Sequence, residues 1–122
     1  MSLENYYKIE EENISDNTAV YRISLNANHN IYQGHFPEFP LLPGAVQIEM
    51  IQELLEKSLG ETLFLKTAKN IKYLGMINPS EHPSLIVDLQ WNNEEFVKLK
   101  ATIKSLTTGE QIMLKYSAEY NR

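Results

Sequence analysis

A histidine and a glutamate, set in a frame of prolines, are the residues in this sequence best suited to chemistry. The segment 34–49 reads GHFPEFPLLPGAVQIE, in which His35 precedes three prolines spaced three residues apart and Glu49 follows fourteen positions later. Each proline fixes its own φ near −65° and drives the residue before it toward extended geometry. We therefore predict a stiff, non-helical loop over 36–42, which would hold the imidazole rigidly enough for catalysis.

The helix that carries the glutamate is predicted to cover 43–59. Pro43 suits the first helical position, where its missing amide hydrogen has no partner in any case, and Gly60 is a natural stop. The first amides of a helix have no intrahelical acceptor, so those of 44–46 could polarise a carbonyl group, and Gly44 has no side chain to block its approach. At 100° per residue one half of the helix is apolar. Gln47 is the lone polar residue in that arc and needs a partner.

Alternating apolar and polar residues predict six strands around this helix. We place them at 6–10, 19–25, 63–76, 84–91, 96–103 and 112–120, with a polar turn at 11–17. Two strands, one long helix and four further strands indicate an α+β fold, a largely antiparallel sheet with the helix on one face. No linker or repeat divides the chain, so we expect a single domain over 1–122.

Composition excludes several classes of function. The chain has 122 residues and no cysteine, which rules out disulfides and thiolate chemistry. The net charge of −5 argues against nucleic-acid binding, and no run approaches the roughly 20 apolar residues of a membrane span. No apolar run resembling a signal peptide follows Met1. We expect a cytoplasmic protein without a metal site.

Together, the motif and the order of elements resemble the beta-hydroxyacyl-acyl-carrier-protein dehydratases of the hotdog fold. The resemblance rests on His35-Phe36-Pro37, Pro40, Pro43-Gly44 and Glu49, and more weakly on the stretch 71–79, IKYLGMINP. It implies a curved sheet wrapped around one central helix. It also implies that His35 and Glu49 are the catalytic pair, the histidine as base and the acid as partner of the leaving hydroxyl. The residues expected to contact the substrate are Phe36, Pro43, Gly44, Ala45, Val46 and Tyr73.

The resemblance also implies partners. Members of that dehydratase family are homodimers in which each site takes its histidine from one subunit and its acid from the other. We therefore expect a homodimer, and a higher oligomer stays open. The substrate would arrive on the phosphopantetheine of an acyl carrier protein, and no other cofactor is expected. Lys66, Lys69 and Lys72 are a candidate cluster for that acidic carrier.

Two differences indicate a divergent member. The family's N-terminal segment rich in Pro, Phe and Leu is replaced here by 4–17, and Glu53 stands where a glutamine is usual. Two other functions stay open: a hotdog thioesterase, which also uses an acid on the central helix, and a silent acyl-binding or assembly subunit. The remaining histidines, His29 and His82, are predicted to be structural turn residues.

Overall fold

The computed structural model describes residues 4–32 and 40–122. In chain order these form β1 (Tyr7–Ile14), β2 (Thr18–Leu25), a short 3-10 helix (Asn30–Tyr32), α1 (Gly44–Leu59), β3 (Phe64–Tyr73), β4 (Ser84–Asn93), β5 (Val97–Ser105) and β6 (Gln111–Asn121). The six strands make one sheet in the order β1-β2-β4-β5-β6-β3, in which every neighbouring pair is antiparallel. The predicted order of two strands, one helix and four strands is confirmed.

The two faces of the sheet differ sharply in composition. Side chains alternate between faces along each strand, so the buried and exposed residues separate cleanly. The inner face, which packs on α1, carries the buried residues Tyr21, Ile23, Val87, Leu99 and Ile103. The outer face carries the intervening polar residues, such as Asp88 and Lys100.

Helix α1 lies against the inner face through the predicted apolar arc. Met50, Ile51, Leu54 and Leu55 are at most 1% exposed and join the same core cluster as the sheet residues. The helix ends at Gly60, whose φ of 70° is left-handed and whose amide donates to Glu56 O. Glycine reaches that conformation without strain, as the sequence predicted.

Two boundary predictions are wrong for physical reasons. Strand β1 continues through Ile14, so the polar turn predicted from residue 11 starts later. Because β1 is an edge strand paired only with β2, its polar side chains can face water without breaking the ladder. Pro43 is the N-cap of α1 rather than its first helical residue, since its ψ of 143° is extended.

Strand β3 is the other edge of the sheet, and it is unusually exposed. It pairs only with β6, and none of its residues is buried. Large apolar side chains here and just beyond are open to solvent: Phe64 61%, Leu65 48%, Ile71 41%, Tyr73 50%, Leu74 51% and Met76 74%. None of the helices in the described ranges is long and apolar enough to cross a membrane.

Candidate active site at the start of the helix

A small, mostly apolar pocket lies where the proline-rich loop enters α1. Its volume is about 240 Å³. The residues around it are Leu41, Leu42, Gly44, Gln47, Tyr73, Gly75, Met76 and Ile77. The Leu42 amide donates to Ile77 O at 2.8 Å, which ties the loop to the segment that follows β3. Two of the predicted substrate-contact residues, Gly44 and Tyr73, are thus brought together.

The first amides of α1 lack a capping side chain, and Gly44 among them lines this pocket. Pro43 has no side-chain group that could cap the helix, and no side-chain cap bond forms. Within the described residues, the amides of Gly44 and Ala45 have no backbone acceptor. Together with the partial positive charge of a helix N-terminus, they suit a carbonyl oxygen that gains negative charge.

The Val46 amide is not free, which corrects the prediction for 44–46. It donates to Pro43 O at 3.1 Å, as does the Gln47 amide. The reason is that the extended Pro43 turns its carbonyl into the first helical turn, where these two amides reach it. The Val46 side chain is half-buried and packs against the core.

Gly44 lies directly under the ring of Tyr73. A Cβ built on Gly44 would lie 2.6 Å from Tyr73 Oη and 2.7 Å from Tyr73 Cζ, distances that real Cβ atoms do not show. A larger residue at position 44 would therefore force the Tyr73 ring to move. Burial raises the pKa of the Tyr73 hydroxyl, which keeps its proton and can donate a hydrogen bond at the pocket.

Gln47 closes the floor of the pocket and is 3% exposed. Its Nε2 donates to Leu42 O at 3.1 Å, which gives the partner that the sequence said it needs. Its Oε1 has no hydrogen-bond partner among residues 4–32 and 40–122. A buried acceptor of this kind can take a hydrogen bond from a ligand N–H or O–H group.

Glu49 projects from α1 into solvent and does not line this pocket. Its charge acts instead on tyrosines at other points of the inner face. Burial is the largest cause of the raised pKa values of Tyr6 and Tyr120, and the negative charge of Glu49 contributes to both. In a single chain, the predicted acid and the helix-terminal pocket are therefore separate.

A second carboxyl group lies one turn further along the helix. Burial raises the pKa of Glu53, a hydrogen bond that Tyr7 Oη donates to its Oε2 at 3.1 Å opposes the rise, and the charges of Glu49 and Glu56 add to it. Burial also raises the pKa of Tyr32, to about 12.

His35 and Phe36 lie outside the described residues, so their roles remain predictions. The other two histidines are structural, as predicted. His29 Nδ1 accepts from the Ile31 amide at 3.1 Å, and its Nε2 bonds Glu4 O at 2.7 Å. His82 is 9% exposed, and its Nδ1 accepts from the Asn78 amide at 3.0 Å.

Sequence reasoning missed the apolar wall of the pocket. A signal was present, because Leu42 lies between prolines that exclude a helix, so its burial had to come from a tertiary contact. Gly75 was the other signal. A Cβ there would lie 2.9 Å from Met113 Cε, so the chain after β3 runs very close to β6.

Comparison with known proteins agrees with this geometry. The family model described as ApeI dehydratase, ApeI-like, matches residues 10–111. A 3-hydroxyacyl-[acyl-carrier-protein] dehydratase FabZ of Rickettsia canadensis is 30% identical over 94 residues, which cover 66% of each chain. Matches to the FabZ relatives span 37% to 66% of those proteins' length.

Solved structures show the same fold. The dehydratase heterocomplex ApeI:P from Xenorhabdus doucetiae contains a chain that aligns with a TM-score of 0.75 at 17% identity, covering 94% of this chain and 97% of that one. A hypothetical thioesterase with coenzyme A from Streptococcus pneumoniae aligns at 0.68 and 14% identity, covering 98% and 89%. The hotdog fold expected from the sequence is confirmed. With 10–111 matched by the family model, the chain belongs to the ApeI-like family of dehydratases.

Proposed function

We propose that this protein removes water from 3-hydroxyacyl thioesters carried on the phosphopantetheine of an acyl carrier protein, giving trans-2-enoyl thioesters. The observation that carries the proposal is the start of α1, where Gly44 borders a pocket roofed by Tyr73 and its amide has no backbone acceptor among the described residues. Such a site suits a thioester carbonyl whose oxygen gains charge as the C2 proton leaves. Membership of a dehydratase family supports the reaction type.

In the proposed reaction His35 acts as the base and Glu49 as the acid. His35 takes the proton from C2, and the electron pair forms the C2–C3 double bond as the C3–O bond breaks. Glu49, in its acid form, gives a proton to the leaving hydroxide, and the product is water. Proton exchange with solvent then restores both groups. No metal or further cofactor is needed for these steps, because the helix amides polarise the carbonyl.

We propose a homodimer because one chain does not bring the acid and the pocket together. An isologous pairing along the exposed edge strand β3 would cover its apolar side chains and bring Glu49 of the partner subunit to the Gly44 pocket. This arrangement matches the division of catalytic groups implied by the family resemblance. Fatty-acid synthesis, or a specialised polyene or polyketide-like pathway, in the cytoplasm would be the setting.

The direct assay is incubation with 3-hydroxyacyl thioesters of several chain lengths, followed by mass spectrometry for loss of water. We expect His35→Ala to abolish this loss with an unchanged circular dichroism spectrum, while the matched variant His29→Ala keeps its activity at a lower melting temperature. Wild-type activity in His35→Ala would refute the assignment of the base.

A thioesterase is the second candidate, because a solved thioesterase shares the fold and because Glu49 could activate water instead. The same incubation distinguishes the two activities. A thioesterase releases a free thiol and a 3-hydroxy acid that keeps its hydroxyl group. Tight binding of the thioester with neither product would indicate a silent acyl-binding subunit.

A further inference from the structure

The outer face of the sheet carries a strong excess of positive charge on an acidic protein. The chain has a net charge of −5 and eleven lysines and arginines, all within the described residues. Nine of them project from strands onto the outer face: Lys8, Arg22, Lys66, Lys69, Lys72, Lys98, Lys100, Lys104 and Lys115. The strands contribute only four carboxylates to that face: Glu10, Glu11, Asp88 and Glu119.

Some of these cations form ion pairs with nearby carboxylates, and others do not. Lys66 and Lys69 fall at the two register shifts of β3, and both approach Glu119 Oε1 at 3.8 Å. Lys98 and Lys104 pair with Glu94 and Asp88. Three exposed lysines of neighbouring strands, Lys72 of β3, Lys115 of β6 and Lys100 of β5, have no ion pair with any residue that the structure describes. We call these three the lysine triad.

Two members of the lysine triad form a like-charge pair across neighbouring strands. Lys72 lies directly opposite Lys115 in the ladder, and like charges in that position are destabilising. Lys115 faces Thr102, next to Lys100 on the same face. The pair therefore places two positive charges side by side on the exposed face.

A shallow, largely apolar depression lies beside two of these lysines, Lys100 and Lys115. It has a volume of about 610 Å³, and its rim includes the polar residues Asn70, Asp88, Gln90, Thr102 and Ser117. The lysine triad extends from Lys100 on β5 to Lys72 on β3, two strand spacings or about 10 Å. That width fits a row of carboxylates on a protein surface better than one small anion. The interspersed Asp88 and Glu119 disfavour a uniformly charged polymer or lipid surface.

The lysine triad also begins beside the candidate site. Lys72 and Tyr73 are consecutive at the end of β3, so their side chains point to opposite faces. Tyr73 roofs the Gly44 pocket, whereas Lys72 stands on the outer face. A flexible arm from a protein bound at the lysine triad could therefore pass around the end of β3 to the pocket.

We propose that the lysine triad is the docking surface for an acidic protein, which, if the proposed function holds, is the acyl carrier protein. This narrows the cluster suggested by the sequence to Lys72, which has no ion pair within the described residues, whereas Lys66 and Lys69 share the single carboxylate of Glu119. Long-range attraction by such lysines would mainly raise the association rate and make it sensitive to salt.

The test measures binding of a panel of acidic acyl carrier proteins by fluorescence anisotropy, separately from turnover. Lys100→Glu/Lys115→Glu, on β5 and β6 and therefore off the proposed subunit interface, should weaken binding by at least about tenfold, and binding should weaken with added salt. The control Lys8→Glu/Lys57→Glu makes the same charge change on the far edge strand and on α1, and should bind like wild type. Turnover of a short pantetheine thioester should be the same in all three proteins.

Three results would overturn the proposal: no carrier binds, both double variants bind equally well, or anionic vesicles or duplex DNA bind more tightly than any carrier. The two proposals fail separately. Salt-sensitive carrier binding without loss of water from any thioester would refute the dehydratase but leave the docking surface. If short thioesters lose water but the triad substitutions do not change carrier binding, the docking surface is refuted and the dehydratase stands.

Discussion

Gly44 is the residue where the helix amides, the pocket and Tyr73 meet. Its missing side chain lets the Tyr73 hydroxyl lie over the start of α1, and both residues line the same pocket. A helix usually gains from alanine in place of glycine, by about 1 kcal/mol. The close contact with Tyr73 should make the same substitution destabilising here. A measurement at this position therefore tells whether packing or helix propensity dominates.

We predict that Gly44→Ala lowers the free energy of unfolding by about 1–3 kcal/mol, because the new Cβ overlaps the tyrosine ring. It should also reduce kcat/KM for a 3-hydroxyacyl thioester by at least about tenfold, since the carbonyl site is narrowed. Denaturant unfolding and steady-state kinetics measure the two effects. Gly44→Ala/Tyr73→Leu should recover the stability and not the activity. A single variant that is more stable and fully active would contradict this account of the pocket.

The Glu53 carboxyl predicts how stability depends on pH. Burial, with the charges of Glu49 and Glu56, raises its folded-state pKa above the ordinary value of 4.5. A raised carboxyl pKa means that the folded state binds the proton more tightly, so Glu53 costs stability as pH rises from the unfolded value through the folded one. Above that window, at neutral pH, the cost is fully present.

Glu53→Gln should therefore raise the melting temperature at pH 7, and the gain should disappear below about pH 4, where both states are protonated. The glutamine amide oxygen can still accept a hydrogen bond from Tyr7 Oη, so the substitution removes the charge and keeps an acceptor. Thermal unfolding followed from pH 3 to pH 8 tests this, with Glu81→Gln in an exposed turn as the control. A gain at acidic pH that equals the gain at pH 7 would exclude the charge explanation.

At the scale of elements, the sequence predicts what depends on local pattern and not what depends on register. The apolar arc of α1, its stop at Gly60 and the alternation in β4, β5 and β6 follow from side-chain spacing. The edge position of β1 does not, which is why its continuation to Ile14 was predicted as a turn. The shifts at Lys66 and Lys69 arise from bulges, and no sequence pattern shows that Lys72 faces Lys115.

Lys115→Glu tests the register directly through stability. Replacing the like-charge pair opposite Lys72 with an opposite-charge pair should raise the free energy of unfolding by roughly 0.2–1 kcal/mol. Lys8→Glu on β1 faces Ser24 instead and should change stability less. Urea unfolding at low salt gives both values, and high salt should reduce the difference. Equal effects of the two substitutions would show that Lys72 and Lys115 are not neighbours.

At the scale of the whole molecule, the two edges of the sheet differ in a way that points to assembly along β3. Ile14 on β1 and Ile71 on β3 are almost equally exposed, at 42% and 41%, yet only Ile71 lies among a group of exposed apolar side chains. A large exposed apolar edge is a site of association. The exposed apolar group on β3 is therefore where the proposed dimer would form its interface.

Ile71→Glu should convert the dimer into a monomer and abolish activity, because each site needs the partner subunit. Ile14→Glu introduces the same charge at the opposite edge and should leave both assembly and activity unchanged. Light scattering after size-exclusion chromatography reports the mass, and circular dichroism confirms folding. A folded, fully active Ile71→Glu monomer would mean that one chain contains a complete site.

The most direct test of the central claim, dehydration in a site shared by two subunits, is complementation between inactive variants. His35→Ala and Glu49→Gln chains are co-expressed with different tags, the mixed dimer is purified through both, and loss of water from a 3-hydroxyacyl thioester is measured. Each variant alone should be inactive, whereas the mixed dimer should retain about half of the wild-type rate, because one of its two sites has both native groups. A mixed dimer as inactive as its parents would contradict the account.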